Sequence, residues 1–203
     1  MSSQPDRAGR YTVRFDDGVT MRLYRQTVQD FSVYPGRELS DEEYTQLSDA
    51  AAAMSAKMRA VRIVAASNVS KRDLEQRLIH KGEDPEKAKD AVQWMSDMNL
   101  VDDRKTAEMI VQRCIQKGYG RSRAKQMLYQ KQIPQACWED ALENYPEQTE
   151  AIVAFLRDRL GENWDDRQLH RVMEALIRRG HSYGEIRKGL EMMELDTEEF
   201  PEE

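Results

Sequence analysis

Eight basic side chains fall between Arg104 and Lys131: Arg104, Lys105, Arg113, Lys117, Arg121, Arg123, Lys125 and Lys131. Only one acid, Glu108, shares that span, although the whole chain carries a formal net charge of -6. Cations massed in this way bind anions, either carboxylates lining a protein groove or phosphates, with an affinity that falls as salt rises. Arg113 precedes Lys117 by one helical turn. Lys117, Arg121, Arg123 and Lys125 bracket Gly118-Tyr119-Gly120, so several of these groups should project from one edge. Lys71, Arg72, Arg77 and Lys81 extend the basic set upstream, and Arg171, Arg178 and Arg179 extend it downstream. From Glu191 to Glu203 the balance reverses, with seven acids and no base. A basic middle and an acidic end predict an anionic partner for the middle alone.

No other residue set assembles a reaction. The chain lacks a G-x-x-x-x-G-K-[ST] loop, and Gly118-Tyr119-Gly120 reads as a helix break before it reads as a phosphate cradle. His80, His170 and His181 stand without a second ligand at metal-binding spacing. Cys114 and Cys137 fit reduced thiols, Cys114 as a small core residue on an apolar stripe. Carboxylates are plentiful but scatter along wet helix faces, whereas acid–base work needs two in a desolvated cleft. The expectation is therefore no catalytic residue, no cofactor and no metal. Met1 to Arg10 holds no apolar stretch suited to a signal peptide, and no window offers the ~20 apolar residues of a membrane span. A cytoplasmic, monomeric protein is expected.

The elements that position the cations follow from composition and period. Charged residues make up 33 % of the chain, hydrophobic ones 39 %, and the mean hydropathy is -0.82, which favours helices with narrow apolar stripes over a spherical core. The N-terminal part differs. Tyr11, Val13 and Phe15 alternate with polar neighbours, as do Val19, Met21 and Leu23 after Asp16-Asp17-Gly18. A three-residue loop keeps one apolar face by pairing Phe15 with Val19, Val13 with Met21 and Tyr11 with Leu23, with Gly18 left-handed. An extended piece from Val28 to Val33, a turn at Pro35-Gly36 and a helix capped by Ser40 and Glu43 complete this module.

From about residue 55 the chain repeats itself. Ser70–Val92 aligns without a gap on Gly120–Leu142, and an offset of 98 brings in a third copy, matching Leu74 to Val172, Leu78 to Leu176 and Gly82 to Gly180. Each copy punctuates into three helices. Ser70, Asp84, Asp103 and Ser182 are the expected helix starts; Gly82, Gly118 with Gly120, Gly161 and Gly180 are the expected stops. Trp94, Trp138 and Trp164 read as core between repeats. Short helices bury little alone, so stacked copies in an elongated curved rod are expected.

Asn99-Leu100-Val101-Asp102-Asp103 with Ala107, followed by Lys117-Gly118-Tyr119-Gly120-Arg121, resembles the middle repeat of RecX proteins. Ser70-x-x-Asp73-Leu74-x-x-x-Leu78-x-x-Lys81-Gly82 is similar to their first repeat. Pro35-Gly36-x-x-Leu39-Ser40-x-Glu42-Glu43 and the hairpin before it look like the extra module of longer members. The sequence departs at Thr106, where the family has an aromatic residue, and at Lys131-Gln132-Ile133, where it has Lys-Gly-Ile. The resemblance implies a mainly α chain: a disordered start over 1–9, a β-hairpin and helix module over 10–54, three-helix repeats over 55–101, 102–146 and 147–195, and an acidic tail over 196–203. It further implies a regulator that lies in the groove of the RecA–DNA filament and inhibits RecA's ATPase and strand exchange. Arg113, Lys117, Arg121, Arg123, Lys125, Lys131, Lys71, Arg72 and Lys81 are the residues expected to meet the filament or single- or double-stranded DNA. A stand-alone DNA-binding module of helix-turn-helix-like repeats is the alternative.

Overall fold

The computed structural model describes residues 1–161 and 164–193, so the expected acidic tail lies outside the described residues. Strands β1 (Arg10–Arg14) and β2 (Thr20–Tyr24) pair antiparallel, with Tyr11 opposite Leu23 and Val13 opposite Met21. The Phe15 N–H donates to Val19 O at 2.9 Å, and Gly18 takes φ +86°, so the three-residue turn forms as its side-chain faces require. Residues 1–9 have mostly no regular secondary structure. They run along the outer side of β1, where Ser2 N–H donates to Thr12 O at 2.8 Å and Asp6 N–H to Arg10 O at 2.7 Å. The strand edge offers unpaired main-chain groups, and the N-terminal segment satisfies them.

Two expectations need correction. The piece around Val28 is not extended but helical, α1 (Arg25–Asp30), because Thr27, Val28 and Phe31 share a face against the hairpin's core. The helix opened by Ser40 does not stop before residue 55 either. It continues as α2 (Asp41–Ala66), 26 residues long, since Ala50 to Ala53 and Ala56 offer no breaker between the two expected domains. Its capping box is present as read from Ser40 and Glu43.

The rest is three sets of three helices. Repeat 1 uses the C-terminal half of α2 with α3 (Lys71–His80) and α4 (Pro85–Asp97). Repeat 2 has α5 (Asp103–Gln116), α6 (Arg121–Gln130) and, after a 3-10 turn at Gln135–Cys137, the five-residue α7 (Trp138–Leu142). Repeat 3 has α8 (Thr149–Leu160), α9 (Asp166–Arg178) and α10 (Tyr183–Glu191). Asp103 is the first helical residue of α5 rather than the residue before it. The chain divides into two compact units at Asp102/Asp103, so repeat 1 belongs to the first and repeats 2 and 3 to the second.

Each repeat closes its own apolar cluster, around Leu74, Leu78 and Met95 in the first, Val111, Cys114 and Leu128 in the second, and Ile152, Leu156 and Leu176 in the third. Trp94, Trp138 and Trp164 pack, half-buried, against these same clusters and are not a shared core between repeats. Trp138 settles the point for its own repeat by donating its indole N–H to Ile133 O at 3.0 Å.

Several helix ends are built alike. After α3, the Gly82 N–H reaches Ile79 O at 2.9 Å and the Glu83 N–H reaches Leu78 O at 3.1 Å, with Gly82 at φ +87°. This paired closure satisfies two orphan carbonyls and needs a left-handed residue at its centre. It recurs after α4 at Asn99, after α5 at Gly118, after α6 at Gln132 and after α9 at Gly180. The repeat seen in the sequence is largely a repeat of this turn.

Candidate functional site

The site is centred on α6. Gly120 is its N-cap, Arg121 its first residue, and no acid occupies its first turn. Comparison with the middle helices of the other repeats makes the departure plain. In α3, Ser70 caps the helix by accepting the Asp73 N–H at 3.0 Å, and in α9 Asp165 accepts the Gln168 N–H at 2.7 Å. At the aligned positions α6 has Gly120, which offers no side-chain cap, and Arg123. Gly120 is explained by packing, because a Cβ there would stand 1.9 Å from Gly180 O. The cations have no such explanation. A positive helix terminus disfavours Arg121 and Arg123.

Arg121, Lys125 and Tyr129 are exposed and follow one another at i, i+4 and i+8 along α6, so they share a face. Lys131, exposed, is the C-cap of the same helix. Arg113 and Lys117 lie one turn apart at the end of α5 and are exposed, while Arg123 is half-buried and reaches the Gln126 side chain. Burial pushes the Cys114 thiol up from its ordinary range, and the charges of Arg123, Lys117 and Arg113 oppose the shift. Among the described residues none of these six cations forms an ion pair with an acid. Elsewhere cations are matched, as in Arg77–Asp73 at 2.8 Å and Lys87–Asp49 at 2.6 Å.

The upstream set divides. Lys71 and Arg72 open α3 whereas Lys81 is its C-cap, about 15 Å further along a ten-residue helix. Lys81 is exposed, and its carbonyl accepts the Arg59 guanidinium at 3.0 Å. These three belong to the first compact unit and the α6 set to the second. Downstream, Arg178 approaches Glu174 at 3.6 Å, and Arg179 turns inward, its guanidinium 4.9 Å from the ring centroids of both Tyr119 and Phe155. Arg179 is thus committed to packing and leaves the stripe. The Gly118-Tyr119-Gly120 turn is also committed. Its three N–H groups go to Ile115 O, Cys114 O and Arg179 O at 3.0 Å each, so no phosphate cradle is available.

Tyr129 was missed by the sequence reading. It is 75 % exposed, more than any other large apolar or aromatic side chain among the described residues. The i, i+4, i+8 spacing from Arg121 was the signal that could have found it.

Residues 102–142 match the family model described as "RecX, second three-helix domain". A regulatory protein RecX from Halorhodospira halophila is 27 % identical over 159 residues, covering 76 % of this chain and 99 % of the relative. Residues 102–142 thus carry a RecX three-helix domain, and the chain is similar to RecX proteins over most of its length. Another regulatory protein RecX, from Streptococcus sanguinis, is 22 % identical over 93 % of this chain and 75 % of its own length. The RecX fold is seen as well in a solved structure titled as regulatory protein RecX, with a TM-score of 0.67 over 94 % of this chain and 95 % of that one at 20 % identity. RecX from Lactobacillus salivarius matches with a TM-score of 0.63 over 71 % of this chain and 98 % of that one, also at 20 % identity. These relatives are named as regulatory proteins, and the α6 cations lie inside the matched RecX domain. No helix among the described residues is long and apolar enough to cross a membrane.

Proposed function

We propose that this chain is a non-enzymatic regulator of homologous recombination that lies in the groove of the RecA–DNA filament and inhibits RecA's ATPase and strand exchange. The observation that carries the reading is the acid-free face of α6, where Arg121, Lys125 and Tyr129 line up, within the domain that matches the RecX family. Unpaired cations at the positive end of a helix cost stability, so their presence favours use by an anionic partner. Repetition supplies the mechanism. Three short-helix repeats can touch more than one protomer, and linked weak contacts raise avidity without a strong single contact. The cations would chiefly speed and orient encounter. The protein acts, in this reading, as a cytoplasmic monomer.

The test is to titrate the protein into RecA hydrolysing ATP on single-stranded DNA, well below RecA's concentration. Falling hydrolysis at substoichiometric amounts supports a filament-directed regulator, because one molecule then acts on many protomers. Unchanged hydrolysis up to equimolar protein sinks the proposal. Tight binding to bare DNA with a steep salt slope would replace it with a stand-alone nucleic-acid module, against which the net charge of -6 speaks.

A further inference from the structure

Between α5 and α6, the chain turns through Lys117, Gly118 and Tyr119, and the carbonyl oxygens of all three are taken. Lys117 O accepts the Arg179 guanidinium at 2.8 Å. Gly118 O faces His181 Nε2 at 3.1 Å, and Tyr119 O accepts the Tyr145 hydroxyl at 2.7 Å. The main chain joins in, with the Gly120 N–H donating to Arg179 O at 3.0 Å. Two of these side chains, Arg179 and His181, come from repeat 3, and the turn they hold carries Lys117 at one end and Arg121 at the other. Arg179 is held in turn by Tyr119 and Phe155, whose rings face its guanidinium.

We propose that Arg179 and His181 are positioning residues for the basic edge of repeat 2: repeat 3 clasps the Lys117–Gly120 turn and thereby fixes where Lys117, Arg121 and Arg123 stand. The inference rests on the filament reading for what the edge meets, but the clasp itself is a property of the fold. His181 makes it sensitive to acid. A carbonyl only accepts, so Nε2 carries the ring's proton and Nδ1 is bare in the neutral form. Nδ1 is buried without a partner. A second proton would charge a 3 % exposed ring and create a donor with nothing to receive it. The charged groups around the ring are Glu185 on α10, which favours the charge, and Arg179 at the end of α9, which opposes it. On the repeat 2 side are Lys117, before the turn, and Arg123, whose backbone lies against Gly180. Burial outweighs both the Gly118 carbonyl contact and Glu185 and holds His181 below its ordinary range, so acid, by charging a buried ring, loosens the clasp.

The experiment uses the full chain, with His181→Gln, His181→Leu and Arg179→Met variants. Gln offers an amide N–H to Gly118 O without titrating; Leu removes the donor. Two readouts are taken at pH 7.5 and 5.5: amide hydrogen exchange over residues 117–124, and binding of the labelled protein to RecA filaments formed on single-stranded DNA. At pH 7.5 His181→Gln should match the unmodified protein in both, while His181→Leu and Arg179→Met should exchange faster and bind about tenfold more weakly. On acidification the unmodified protein should lose protection and affinity, and His181→Gln should keep them. Equal pH dependence of the unmodified protein and His181→Gln overturns the role of His181. Unchanged exchange over 117–124 in both His181→Leu and Arg179→Met overturns the clasp. If the unmodified protein fails to bind filaments at all, the filament reading falls, and the exchange data still decide whether repeat 3 fixes the turn.

Discussion

Gly120 and Gly180 face each other across the seam between repeats 2 and 3, with no room between them for a methyl group. A Cβ on Gly120 would stand 1.9 Å from Gly180 O, and one on Gly180 would stand 2.2 Å from Arg123 N. Both neighbours are main chain and cannot step aside.

Gly180→Ala should therefore destabilise by about 3 kcal/mol or more, combining left-handed strain with overpacking against backbone. Gly82→Ala is the control. Gly82 has nearly the same φ, +87° against +88°, and the same place in a helix closure, but nothing lies within 4 Å of its Cβ position. It should cost only about 1 kcal/mol, the backbone strain alone. Urea midpoints for the two variants measure the difference.

Charge reversal at Arg121 and Arg123 should separate function from folding. Glu in the first turn of α6 complements the helix dipole, so Arg121→Glu should raise stability by about 0.3–1 kcal/mol and Arg123→Glu, on a half-buried site, by less. On the proposed filament reading, inhibition of RecA's ATPase should be lost in the double variant, with circular dichroism unchanged. Retained inhibition would show that the edge is not the anchor.

Tyr129→Ala removes an aromatic side chain that its own fold does not use. Thermal stability should stay within about 0.5 kcal/mol. Inhibition of the RecA ATPase should shift to higher protein concentration if α6 faces the partner, and an unmoved titration would exclude Tyr129 from the contact.

The stability of the second unit should fall in mild acid through His181. Its folded-state pKa lies below the ordinary value of 6.5, so the unfolded chain takes up the proton first. The contribution is whole above pH 6.5 and is lost as pH falls from there through the folded pKa. His181→Gln should flatten that part of a plot of urea midpoint against pH, and an unaltered slope would assign the loss to other groups.

Gln132 occupies the left-handed position that closes α6, at φ +54°, where α3 has Gly82. The closure forms regardless, with Gln132 N–H to Tyr129 O at 2.9 Å and Ile133 N–H to Leu128 O at 3.1 Å. Gln132→Gly should relieve up to about 1 kcal/mol of backbone strain. A rise in Tm of the variant checks it, and a fall would show that the Gln132 side chain contributes more than its backbone costs.

What the sequence made legible was what local rules encode. The hairpin register followed from side-chain alternation, because a one-residue slip would have mixed the faces of Val13 and Met21. Ser40 and Ser182 announced capping boxes, and the glycines announced the helix closures. Continuity of α2 was harder to read, since an alanine run is silent about where one domain hands over to the next. The short α1 was missed because six residues around Val28 carry too little period to tell helix from strand. The clasp left no pattern at all: Arg179 and Lys117 are 62 residues apart, and their contact is to a carbonyl oxygen that every residue possesses. The basic edge was found by counting charges. The inward turn of Arg179 needed coordinates, whereas Tyr129 already stood at i+8 from Arg121.

The unbroken α2 has a consequence for how the first unit holds together. At 1.5 Å per residue it is a rod of about 39 Å, set in the hairpin's core through Leu47 and in the core of repeat 1 through Ala56, Ala60 and Ile63. Cutting at residue 54 would leave two pieces near the ~12–15 residues below which an isolated helix is marginal in water. Each core would lose the stiff element that the other helps to keep helical. The hairpin module and the first repeat should therefore melt as one cooperative body, and a fragment that begins at residue 55 inherits a repeat whose first helix has lost both its cap and half its length.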